Sequence, residues 1–145
     1  SRRRTPQVRT SSTKVRISRV SLLHVNLTFI AIAIGTLVTG TGPHAGDVDS
    51  PRFDFSIVSI TRFHSLSVWL LMILTIYFYR SPDLRHETKN WLKIFFGISL
   101  LQGAIGYIQY WNGVPELLVG FHLLGSVLVW IAAWRIRISV IRKPA

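Results

Sequence analysis

One unbroken stretch, Phe55–Tyr79 (FSIVSITRFHSLSVWLLMILTIYFY), limits what this chain can fold into more than any other. It is almost wholly apolar and long enough to cross a bilayer as a single helix, because about 30 Å of hydrocarbon takes about 20 residues at 1.5 Å each. Yet Arg62 and His64 lie inside it. Ionisable side chains at such depth are costly, and by default they mark a site with a partner.

Three more apolar runs accompany it. The sequence predicts helices over residues 20–38, 55–79, 91–111 and 115–134, separated by breaker clusters at Thr39–Pro43, Arg80–Pro82 and Trp111–Pro115. Pro115 suits the first turn of the last helix, where Glu116 also matches the helix dipole. Four such segments with short loops read as an all-α, integral membrane, up-down four-helix bundle. The composition agrees: 16% of the residues are charged, against about 25% in soluble domains.

The net charge of +11 is distributed by side rather than along one face. Seven Lys and Arg lie in residues 1–19, four are Arg80, Arg85, Lys89 and Lys93, and four are Arg135, Arg137, Arg142 and Lys143. The opposite loops hold Arg52 alone. This asymmetry predicts both termini on the cytoplasmic side. Trp91, Trp111, Trp130, Trp134, Tyr107 and Tyr110 fall near the interfaces, as an aromatic belt requires. Residues 1–19 read as a solvated basic tail or interdomain loop, and residues 20–142 as the membrane unit. The tail has no interleaved aromatics, which argues against nucleic acid as its partner and leaves the bilayer. It also lacks a signal-peptide core, so a start at Ser1 reads as a piece of a longer or processed polypeptide.

The chain has no cysteine, which removes disulfides, thiolate metal sites and cysteine nucleophiles. Asp47, Asp49 and Asp54 share the loop between the first and second helices, but their spacing matches no calcium loop. The histidines carry more. His64 lies nine residues after Phe55 and His122 seven after Pro115, depths of roughly 14 and 10 Å from the outer edge. In the up-down order these two helices run parallel and are not neighbours. Two imidazoles at similar height from either side of a bundle suit the axial positions of a haem iron. Gly120 and Gly125 near His122, and Ser65 and Ser67 near His64, leave room for a flat macrocycle. The bland reading is that each imidazole only hydrogen-bonds a neighbouring helix. Arg62 either pairs with a haem propionate or snorkels to the interface. His24 reads as structural, His44 as an outer-loop residue and His86 as solvated. Gly97, Gly103 and Gly106 allow close helix approach, with Gln102 and Gln109 as buried hydrogen-bonding groups.

Four motifs taken in order carry a family resemblance. They are Gly35–Asp47 (GTLVTGTGPHAGD), Arg62–Ser65 (RFHS), Gln102–Tyr110 (QGAIGYIQY) and Pro115–His122 (PELLVGFH). Together they resemble the C-terminal half of bacterial haem A synthase, most closely its actinobacterial type, over residues 18–140. The resemblance implies an enzyme of two similar four-helix halves that oxidises a ring methyl of haem O to the formyl of haem A, for cytochrome oxidase. It implies that His64 and His122 ligate a b-type haem (heme b) for electron transfer, with Arg62 and Gln102 as further cofactor-binding residues. Substrate haem O belongs to the other half, where a glutamate three residues before the first ligand is needed. Here that position is Thr61, so the chain resembles the cofactor half and carries no catalytic residue of its own. The implied partner is the N-terminal half or a second copy, in a bacterial plasma membrane. A non-enzymatic bis-histidine cytochrome b electron carrier stays open as the alternative.

Overall fold

In the computed structural model of the chain, the described residues are 6–43, 49 and 51–142, with residues 6–10 described by their backbone alone. Four helices run in order: α1 (Pro6–Thr41), α2 (Ile57–Tyr79), α3 (His86–Trp111) and α4 (Glu116–Ile141). Each contains a window long and apolar enough to cross a membrane, and no strand occurs among the described residues.

Three boundaries differ from the sequence expectation by five residues or more, one of them the end of α4, which runs on to Ile141 instead of stopping at Trp134. α1 begins at Pro6, so most of the expected basic tail is helical. Proline is favoured at a first helical position, and the Lys, Arg and Ser that follow do not oppose propagation back from the apolar span. α3 begins at His86, five residues before Trp91, with Glu87 in its first turn where a negative charge complements the dipole. Pro115 is the residue that precedes α4 rather than its first member. His44 and Asp47 lie outside the described residues, while Asp49 and Asp54 are exposed.

Chemistry at the helix ends explains the turns. The Ser56 hydroxyl accepts from the Ser59 N–H at the start of α2. Gly113 (φ 69°) follows α3 in the left-handed region, and the Val114 N–H closes back on the Gln109 carbonyl at 2.8 Å, a Schellman ending. Val114 shares that conformation (φ 60°), uncommon for a β-branched residue. Before α2, Phe53 donates its N–H to the Gly40 carbonyl at 3.1 Å and lays its ring against Gly40. A Cβ at Gly40 would overlap that ring.

Contacts between helices fix their directions. His24 meets Thr75 and Ala31 meets His64 across α1 and α2. Thr88 meets Ser139 across α3 and α4, and Ser18 meets Arg137 across α1 and α4. Every pair is antiparallel, so the start of α1 and the end of α4 lie at one end of the bundle, here called the terminal end. Two hairpins result, α1–α2 and α3–α4, joined mainly through α1 and α4, while α2 and α3 meet least. The buried apolar core (Val25, Leu71, Phe78, Leu92, Phe95, Ile136 and neighbours) fills the terminal half and stops near Ala31, Gln102 and Gly125. Among the described residues of the distal half, no large hydrophobic side chain is buried.

Candidate functional site

The distal half is where His64 and His122 meet. Their ring centroids stand 6.4 Å apart with planes crossed at 80°. Both rings are half-buried and point between the hairpins rather than outward. His64 leans on α1: its Nδ1 lies 3.0 Å from the Ala31 carbonyl. A carbonyl can only accept, so Nδ1 carries the hydrogen, and a neutral ring then has its lone pair on Nε2. Gly35 sits against the same ring, its Cβ position 3.0 Å from His64 Cε1. His122 leans the other way, against Gly106, whose Cβ position lies 3.5 Å from its Cε1.

This arrangement passes a simple test for an axial pair. An imidazole nitrogen lies about 2.0–2.1 Å from a bound metal, and about 1.1 Å from its own ring centre, so two rings on opposite sides of one ion have centres about 6.3 Å apart. The observed 6.4 Å matches that separation. Rotation about each nitrogen–metal axis leaves the separation unchanged, so crossed planes are compatible. Metal-bound histidines almost always donate the second ring nitrogen to a carbonyl, carboxylate or water, as His64 does to Ala31. His122 Nδ1 and Gln102 Oε1 are buried without a hydrogen-bond partner among the described residues. Gly35, where a Cβ would crowd the His64 ring, and Gly106, where one would come into ordinary contact with the His122 ring, flank the pair. The described residues contain no cluster of three or more His, Asp or Glu placed for a metal ion.

The other candidates fall elsewhere. Arg62 is exposed and lies two residues from His64, almost across the helix axis at 3.6 residues per turn. Gln102 is 9% exposed, and its amide lies where a Cβ on Gly125 would be. Of the three α3 glycines expected to ease helix approach, Gly97 and Gly103 have no neighbour within 4 Å, and only Gly106 has one. Gly120 likewise touches nothing within 4 Å; it lines an open groove of about 540 Å³ with Glu116, Leu117, Phe121 and Leu124. His122 is two residues from both Gly120 and Leu124, so that groove lies on the far side of α4. His86 is exposed beside Asn90. His24 is fully buried, as expected of a structural residue, hydrogen-bonded to Thr75 at 3.0 Å and set edge-on to Phe95 at 4.5 Å.

Sequence reasoning did not find the Gly35 and Ala31 contacts or the Gly125–Gln102 fit. The only signal for Gly35 was a small residue about one membrane half away on a neighbouring span. The fit is testable. Gly125→Ala overpacks a buried contact, for which about 1–3 kcal/mol of destabilisation is typical. Thermal unfolding of the detergent-solubilised variant should drop accordingly, and adding Gln102→Ala should restore most of the loss.

Comparison with protein-family models, curated proteins and solved structures finds no match to the chain.

Proposed function

We propose that the chain is a bis-histidine haem-binding membrane module equivalent to the cofactor half of a haem A synthase. In this reading it lies in a bacterial plasma membrane with both termini in the cytoplasm. The observation that supports it most is the 6.4 Å approach of two imidazoles from different hairpins, one fixed in the tautomer that bares Nε2. His64 and His122 hold the iron. Bound there, a b-type haem supplies a reversible one-electron couple. The chain does the rest: the Ala31 carbonyl orients His64, while Gly35 keeps the flank of that ring clear. The lipid-facing apolar helix surfaces keep the dielectric low around the pair. Thr61 offers no carboxylate on the His64 face, so oxidation of haem O is assigned to a partner half.

Co-expression tests the enzymatic part. In a host that makes haem O, the chain together with a first-half polypeptide should yield extractable haem A, and neither piece alone should. Haem b bound to the chain with no haem A in any combination would contradict the synthase reading and favour a plain electron carrier. Topology is tested separately, helped by the absence of native cysteine. An impermeant thiol reagent on intact cells should label Asn112→Cys but reach Ser12→Cys only after permeabilisation; the reverse pattern would contradict the orientation.

A further inference from the structure

A second set of polar groups runs through the terminal half, separate from the histidine pair. At the terminal end Arg137 donates to the Ser18 carbonyl and to the Ser21 hydroxyl, both at 2.8 Å. One turn along α1, His24 is fully buried, with Thr75 facing it from α2 and Phe95 from α3. The Thr75 hydroxyl donates its hydrogen to the Leu71 carbonyl at 2.8 Å. It therefore accepts from His24 Nε2–H, and a neutral ring leaves His24 Nδ1 as a bare acceptor. That nitrogen has no partner among the described residues, and neither do Ser99 Oγ and Gln102 Oε1.

These three groups are on residues no more than 9% exposed. Ser99 lies one turn along α3 from Phe95, which edges His24, and Gln102 is three residues further on the same face, where Cβ atoms sit about 5–6 Å apart. Two are acceptors and one is a hydroxyl, so what they lack is chiefly hydrogen donors. Unsatisfied polar groups buried in an apolar core cost several kcal/mol in hydrocarbon, and water making two to four hydrogen bonds is the usual remedy.

We propose that His24 Nδ1, Ser99 Oγ and Gln102 Oε1 bind a short file of internal water, which donates to both acceptors and exchanges protons between His24 and the floor of the histidine pair. From Ser18 to Ala31 the polar seam covers about 20 Å of α1 at 1.5 Å per residue. Arg137 is the charged group in contact with it at the terminal end. The Ser21 hydroxyl there is already engaged as both donor and acceptor. The water file therefore belongs to the segment from His24 upward.

Radiolytic hydroxyl-radical labelling of the full chain in lipid nanodiscs tests this without any need for bound haem. Radicals formed from internal water label side chains next to it. Phe95, 0% exposed, should therefore be labelled within about tenfold of Phe53, which is 52% exposed in the loop between α1 and α2. Ser99→Val, which replaces the hydroxyl and fills its space, should lower Phe95 labelling about tenfold or more. It should also make the His24 Nε2–H signal persist in deuterium oxide, where the native signal is lost. Should Ser99→Val not fold, Ser99→Ala removes the hydroxyl without adding bulk. Absence of Phe95 labelling in the native chain, or labelling unchanged by loss of the Ser99 hydroxyl, would overturn the proposal. Either result leaves the haem reading untouched, because haem content is measured on the same samples.

Discussion

His64→Ala and His122→Ala should each abolish the low-spin, six-coordinate haem spectrum of the purified chain. Each should lower haem content by at least about tenfold, the smallest loss expected when a metal site is damaged even at its outer groups. The reason is geometric. In the proposed site the two histidines, with ring centres 6.4 Å apart, would be the iron's protein ligands, so removing either would leave one ligand and an opening where the other ring stood. Free imidazole should restore part of the six-coordinate spectrum in either variant, since it can occupy the space the missing side chain leaves. His86→Ala, on an exposed residue at the terminal end, should change nothing. The bland alternative, in which both histidines serve only as interhelical hydrogen bonders, predicts lowered stability with no change in pigment.

The largest effect on stability is expected from Phe95→Ala. Phe95 is 0% exposed and stands edge-on to His24 at 4.5 Å, in the core that joins α1 to the α3–α4 hairpin. In a soluble protein, truncating a buried Phe costs about 3–5 kcal/mol. Within a bilayer the transfer part shrinks, because lipid tails are as apolar as the core. The lost dispersion contacts remain, which leaves about 2–3 kcal/mol by the same reckoning. Equilibrium unfolding in mixed micelles should show that loss. Leu100→Ala, on the outer side of the same helix at 54% exposure, should cost close to nothing. Equal costs at the two positions would mean that α3 does not present the Phe95 face to the bundle.

Much of this architecture is legible in the sequence. Four apolar runs of spanning length, breakers at Gly42-Pro43, Ser81-Pro82 and Gly113–Pro115, and matched depths for His64 and His122 lead to the helices and to the histidine pair. The helix starts were less legible. Basic residues signalled a tail, but charge does not prevent helix formation in residues adjoining a long span, and α1 extends back to Pro6. Which helix faces which was not legible either, because every span is apolar all round and no stripe marks a buried face. Gly35, Gly106 and Gly125 therefore looked no different from Gly97, Gly103 and Gly120, although only the first three meet a site residue. Arg62 drew notice as a charge beside His64, but two residues along a helix turn a side chain to the opposite side. The polar atoms of His24, Ser99 and Gln102 become related only in the assembled bundle, where side chains of α1 and α3 such as His24 and Phe95 meet across the core.

The central claim, that one haem iron lies between His64 and His122, is tested most directly by titrating the purified full chain with haem and recording reduced-minus-oxidised spectra. The account predicts a sharp b-type α-band that saturates at one haem per chain. Free-haem spectra at every ratio, from a chain whose helical content is intact, would contradict it.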